Sequence, residues 1–279
     1  MKPIADLNVA VLKHIFKYRF NIAHWTKENK TFGKAIYKML FDKDDMIVLP
    51  KDSVAKSRTI ETDIPVDSPE SSTVLPSEVV KELIRSAGHI FIMNFCLCRK
   101  CTGCKDYPTD HGCIFLGNGV HKIPPEYGRL ATAEEAVDYI DECSALGLVH
   151  IIGRNKIDHI WMNLGMKVEL MTICNCCPCC CLWKVVNDIS NDIGDAFRRM
   201  RSVEVTVDPL KCTGCGVCVE SCFTSAVNIV DGVCNIVEDL CRGCGRCVEN
   251  CLEGAISLTY DRKAIDQEIA QMKSLANLS

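Results

Sequence analysis

Eight cysteines towards the C-terminal end carry the plainest chemistry in the chain. Cys212, Cys215, Cys218 and Cys222 form C-x2-C-x2-C-x3-C, and Cys241, Cys244, Cys247 and Cys251 repeat it after a gap of eighteen residues. Thiolates at this spacing suit a 4Fe-4S cube, which needs four sulfur ligands on tetrahedral irons and backbone amides free to hydrogen-bond its sulfides. The C-x2-C-x2-C loop wraps three corners, and Gly214, Gly216, Gly243 and Gly245 permit the close backbone approach and positive φ this requires. In such spacing the fourth cysteine of each run ligates the other cube. Cys212, Cys215, Cys218 and Cys251 are therefore assigned to one cluster, and Cys241, Cys244, Cys247 and Cys222 to the second. Zinc is the competing reading, but zinc sites pair two C-x2-C knuckles and lack the third cysteine and the x3 spacing.

With these motifs, residues 203 to 261 resemble a bacterial-type ferredoxin domain carrying two 4Fe-4S clusters. The resemblance implies a compact βαββαβ unit. The apolar segments 226–230 and 255–259 fit strands that follow one-turn helices. Where that family has proline after the fourth cysteine, this chain has Phe223 and Leu252, a departure that bears on loop geometry and potential.

Two further cysteine groups lie upstream. Cys96, Cys98, Cys101 and Cys104, followed by Cys113, are too dense for coincidence but match no ferredoxin spacing. The C-x2-C of Cys101 and Cys104 suits zinc as well as iron. Arg99 and Lys100 either offset the charge of a thiolate-bound cluster or face water. The other group is Cys174, Cys176, Cys177, Cys179, Cys180 and Cys181, with Pro178 fixing φ inside it. Six thiols in eight residues cannot all reach one cube, because neighbouring side chains diverge. Setting aside the ferredoxin cysteines, Cys234 and Cys143, eleven of the 21 cysteines remain as ligands of at least one further cluster, drawn jointly from both groups. A zinc-stabilised interaction module and a dithiol/disulfide centre are the alternatives. The CLCR segment, a downstream helix ending GLVH and the NCC-x-CCC segment together resemble iron–sulfur proteins of anaerobes that join such a module to a ferredoxin domain, over about residues 76 to 181. His111 and His150 read as structural hydrogen-bonders before ligands.

The elements that must position these groups are legible in part. Val9, Leu12, Phe16 and Phe20 recur at helical spacing, and Phe32, Ile36, Met39 and Leu40 predict a second helix, so residues 5–41 read as helical. Residues 1–41 hold eight basic and two acidic side chains, a net of +6. Such a basic amphipathic segment packs on its own domain or lies on a membrane surface or acidic partner. Residues 50–76 lack periodicity and read as a linker. A helix is predicted from Ser77, capped by its hydroxyl, then a buried strand at residues 90–93. Thr132 with Glu135 forms a capping box for a helix that Gly147 ends, with Ala136, Ile140 and Cys143 on its core stripe. Residues 168–173 predict a strand, 182–200 a helix linking the two cysteine regions, and 263–278 a final helix.

The expected fold is α+β: a basic helical segment (1–49), a linker (50–76), a mixed α/β cysteine-rich module (77–201), a ferredoxin-like dicluster domain (202–261) and a C-terminal helix (262–279). Asp6 and Lys13 interrupt any signal-peptide core, and no apolar run reaches membrane-spanning length. Thiols in this number point to a reducing cytoplasm, where they persist as metal-bound thiolates. Residues 203–261 hold three basic and nine acidic side chains, a net of −6, which steers a basic redox partner. No nucleic-acid motif and no G-x-G-x-x-G after a strand is present. The expected function is electron transfer between the two cubes, the additional cysteine-ligated centre and a partner redox enzyme. The alternative is a reductase whose cysteine-rich centre acts on a disulfide or corrinoid.

Overall fold

The computed structural model describes residues 2–58, 75–165 and 168–276. Helices α1 (Lys2–Phe16), α2 (Arg19–Glu28) and α3 (Lys30–Ile36) open the chain, α3 running on into a π-helical turn at Tyr37–Phe41. Strand β1 (Asp45–Val48) follows inside the stretch expected to be helical, and β2 (Ala55–Arg58) inside the expected linker, whose residues 59–74 lie outside the described ones.

Next come α4 (Ser77–Ser86), β3 (Ile90–Met93), α5 (Leu97–Thr102), β4 (Ile114–Leu116), β5 (Gly128–Leu130) and α6 (Ala133–Ala145). The start of α4 differs from the sequence reading. Pro76 occupies the cap position, and the Asp52 carboxylate accepts the Ser77 N–H at 2.9 Å, leaving the Ser77 hydroxyl buried. At α6 the capping box forms as read, and Gly147 follows the helix with φ +75.

β6 (Val149–Arg154), α7 (Lys156–Trp161) and β7 (Met171–Cys176) complete the main sheet's centre. The predicted strand at 168–173 is thus displaced, so that Cys174 and Cys176 sit in the strand rather than after it. The predicted helix over 182–200 is replaced by a 3-10 turn (Leu182–Asn187), a short α8 (Asn191–Gly194) and β8 (Phe197–Arg199). Ser190 breaks the run, its N–H bonded to Thr26 Oγ1 at 3.1 Å, and β8 is claimed by pairing with β1. Long-range pairing has overridden helical periodicity.

The C-terminal region runs β9 (Glu204–Val207), α9 (Val217–Ser221), β10 (Val227–Val230), β11 (Val233–Ile236), α10 (Arg246–Glu249), β12 (Ile256–Asp261) and α11 (Arg262–Ala276). Its order from β9 to β12 is β-α-β-β-α-β.

The molecule is mixed α/β. A seven-stranded sheet in the order β5-β3-β4-β7-β6-β1-β8 is antiparallel apart from the β1–β8 pair. Side-chain alternation gives each strand two faces. Ile47, Ile92, Ile114, Ile152 and Ile173 pack on one side with Val79 and Leu83 of α4, Ile140 of α6 and Met272 of α11. Met46, Val48, Phe115 and Phe197 face the other side, which α1–α3 and the 182–194 segment cover. β10 and β11 form a hairpin, and β12 lies between β9 and a parallel β2. Hence β2, from the expected linker, is a strand of the C-terminal region's three-stranded sheet. No helix among the described residues is long and apolar enough to cross a membrane.

Candidate metal centres

Strand alternation decides which upstream cysteines meet. Cys174 and Cys176 of β7 point away from Ile173, towards α1–α3, and Cys113 at the start of β4 lies beside them. The Cys113 and Cys174 sulfurs are 3.6 Å apart, and those of Cys176 and Cys181 are 3.3 Å apart. Cys96, at the cap of α5, and Cys98 in its first turn complete a group of six around a cavity of about 330 Å³. Leu12, Phe16, Ala23, Trp161 and Trp183 line the same space, so it is overwhelmingly apolar.

A second group is tighter and lies elsewhere. Cys104, Cys177, Cys179 and Cys180 bring their sulfurs within 4.8 Å of one another, beside buried Cys143 and Leu148. The two upstream clusters of cysteines therefore do meet, but they divide crosswise. The C-x2-C pair is split: Cys104 joins the tight group, whereas buried Cys101 has Lys13, Arg19 and Cys96 as charged neighbours.

Arg99 stands between the groups, fully buried, donating from Nη1 to Asn175 O at 2.9 Å and from Nη2 to His111 O. Among the described residues no carboxylate forms an ion pair with it. Burial works against its charge, but the thiols of Cys96, Cys177 and Cys176 more than offset this and raise its pKa. The influence is mutual. A hydrogen bond from Cys98, with Arg99 adding to it, brings Cys96 down to about 7. Hydrogen bonds from Cys174 and Cys181, helped by Arg99 and Arg246, put Cys176 well below the ordinary thiol value. Lys100 does the opposite of Arg99 and lies exposed, its ammonium 4.4 Å from the Phe95 ring centroid.

Three groups near the sulfurs escaped the sequence reading. Arg19 of α2 lines the six-cysteine cavity, signalled only by a generally basic helix. Asn175, fully buried, holds His150 Nδ1 at 2.8 Å and donates to Gly112 O, so His150 is a structural hydrogen-bonder also held by Ser144. Arg246, also buried, donates to Cys176 O at 2.7 Å and so ties α10 to β7. His111 stacks on Tyr139 and pairs with Asp110. Cys143 is core, its thiol pushed up to about 12 by burial.

In the C-terminal region, Cys212, Cys215, Cys218 and Cys251 line one small cavity with Ile229, Ala255, Ile256 and the additional thiol of Cys234. Cys222 lies in the electrostatic neighbourhood of Cys241, Cys244 and Cys247, and burial raises Cys244 to about 11. Amides point at the sulfurs: Cys234 N at Cys212 (3.3 Å), Ala226 N at Cys222 (3.2 Å) and Gly243 N at Cys241 (3.4 Å). Gly214 has φ +67, and a Cβ there would meet Gly232 O at 2.4 Å, so only glycine lets the β10–β11 turn close over the first loop. The donor set, the amides and the apolar wrapping by Ile229 and Ile256 all fit an iron–sulfur cube.

A family model, the Fer4 4Fe-4S binding domain, matches residues 205–228, which contain the whole first motif. No curated protein and no solved structure matches the chain. The chain carries a ferredoxin-type iron–sulfur domain, and its cysteines support at least one 4Fe-4S cluster.

Proposed function

We propose that the chain is an iron–sulfur electron-transfer protein that passes single electrons between two 4Fe-4S clusters, a further cysteine-ligated centre and a partner redox enzyme. Residues 202–261 are read as a ferredoxin-like dicluster domain and 77–201 as the cysteine-rich module. Cys212, Cys215, Cys218 and Cys251 hold one cube, Cys241, Cys244, Cys247 and Cys222 the other. The clusters supply the one-electron change; the chain supplies thiolates, amide donors to sulfur and exclusion of water.

The observation that carries this reading is the junction at Arg246. Its guanidinium reaches Cys176 O at 2.7 Å, while Cys244 packs with Cys174, Cys176, Cys181 and Phe223 in one apolar core. The second cysteine motif thus adjoins β7, the strand that brings Cys174 and Cys176 to the six-cysteine cavity. A scaffold that only stored metal has no need of this adjacency.

The test is anaerobic reconstitution of the full chain, with iron and sulfide analysis and spectroscopy of the reduced state. The reading expects about twelve or more irons, from four per cube, and a third paramagnet in redox equilibrium with the first two. A total of about eight irons with no further reducible centre would sink the relay.

The cavity of about 330 Å³ supports a second reading, a reductase acting there, since small-molecule sites are concave and mostly apolar at the low end of this size range. Added disulfide or corrinoid changing the extra centre's spectrum, and leaving those of the cubes alone, distinguishes it.

A further inference from the structure

The two upstream cysteine groups differ in size, and size discriminates between one ion and a cluster. Four thiolates on a single tetrahedral zinc, at about 2.3 Å each, have their sulfurs about 3.8 Å apart. On a cube each thiolate binds a different corner iron, so the sulfurs splay to roughly 6 Å or more. In the tight group, Cys179 Sγ lies 3.6 Å from Cys104, 3.6 Å from Cys177 and 3.5 Å from Cys180. All four sulfurs fall within 4.8 Å of one another, and among the described residues no other set of three or more candidate ligands is so compact. The ferredoxin cysteines of the same chain serve as an internal comparison: none of their two sets is drawn together in this way.

We propose that Cys104, Cys177, Cys179 and Cys180 form a closed tetrathiolate site for a single zinc ion, separate from every iron–sulfur centre. Four thiolates fill a tetrahedron and leave no open position, the mark of a structural zinc site. The surroundings supply what such a site needs. Cys177 Sγ accepts the Cys180 amide at 3.4 Å, and the Asp106 and Tyr107 amides are aimed at Cys104. Arg99 lies close enough to Cys177 to balance part of the excess negative charge. Gly103 ends α5 in the left-handed conformation with φ +67, which turns Cys104 away from Cys101 and towards the loop at 177–180. The ion pins that loop to α5, across 75 positions of sequence, beside the six-cysteine cavity. This holds whether or not the chain relays electrons.

The full chain is purified and reconstituted anaerobically with iron, sulfide and zinc, desalted, and analysed for metals, alongside a Cys104→Ser/Cys179→Ser double variant. The expected result is one zinc per parent chain, lost in the variant, with iron content and the reduced-ferredoxin signal unchanged. Parent chain without zinc, a variant that loses about four irons, or a high-spin single-iron spectrum in the parent each overturns the assignment. Should the variant not fold, the parent loaded with cobalt(II) in place of zinc decides. Tetrahedral tetrathiolate absorption supports the site, and its absence, or recovery of these thiols as disulfide, overturns it.

Discussion

Arg99 shows how much a single side chain can disclose about its surroundings. A guanidinium removed from water with no carboxylate partner is tolerable only where anionic sulfur faces it, because an unpaired buried charge costs several kcal/mol. Its neighbours Cys96, Cys176 and Cys177 come from both cysteine groups, so the residue acts as their shared counter-charge. Arg99→Met is expected to destabilise the metal-loaded chain by about 3–5 kcal/mol, as when one partner of a buried ionic cluster is removed. Arg99→Lys should fall between, since an ammonium cannot fork to both the Asn175 and His111 carbonyls. Anaerobic denaturant titration measures both; a loss below 1 kcal/mol for Met would mean the charge is not needed. From sequence alone Arg99 and Lys100 were equivalent. Only the turn of α5 directs one towards sulfur and the other towards water.

Among the elements, α6 and the buried strand β3 could be read from their own residues, whereas β2 and β8, which their own residues did not announce, could not. α6 is written locally: Thr132 Oγ1 accepts the Glu135 N–H and the Glu135 carboxylate accepts the Thr132 N–H. Thr132→Ala is expected to cost about 1 kcal/mol, visible as a lowered denaturation midpoint with unchanged slope. By contrast, Val185, Ile189, Ile193 and Phe197 have helical spacing, yet Phe197 is withdrawn to β8 to pair with Met46 and stack on Trp183 at 4.5 Å. Nothing local to 182–200 announces β1 as a partner. The turn entering β1 carries its own signature. Asp44 Oδ1 accepts the Lys156 N–H at 2.8 Å, Oδ2 is buried without a partner, and burial raises the carboxyl from 3.8 to about 7. Between these values the folded state keeps a proton that the unfolded chain has released, so this residue's contribution to stability falls as pH rises through the window and levels off above it. Asp44→Asn retains the hydrogen bond without the charge. It should match the parent near pH 4 and exceed it at pH 8 by roughly 1–3 kcal/mol; a difference independent of pH would refute the assignment.

At the scale of the molecule, the grouping of the C-terminal cysteines is local, because each motif gathers its first three within seven residues. The division of the other eleven is not, because it depends on the register of β4 and β7 and on where α5 ends. The same architecture sets α10 against β7, and Arg246 at that junction is a cation beside Cys244 and Cys176. Arg246→Met is expected to lower the midpoint potential of the adjoining centres by about 40–90 mV, corresponding to roughly 1–2 kcal/mol for one charge at an effective dielectric of about 20. An unchanged redox titration would place those centres elsewhere. Charge is also segregated over longer distances: residues 1–41 carry +6, packed over the sheet face that holds the six-cysteine cavity, whereas 203–261 carry −6. If electrons enter through the ferredoxin region, its field should draw a cationic one-electron donor and repel an anionic one, although the whole chain is only −4. Screening shortens to about 10 Å at 0.1 M salt and about 3 Å at 1 M, so the preference must fade as salt is added. Stopped-flow reduction by a bipyridinium radical cation should therefore slow several-fold from about 10 mM to 1 M salt, while reduction by dithionite accelerates. If both respond alike, electrons enter at a face other than the acidic one, and the basic helices over the cysteine cavity become the place to look for the partner.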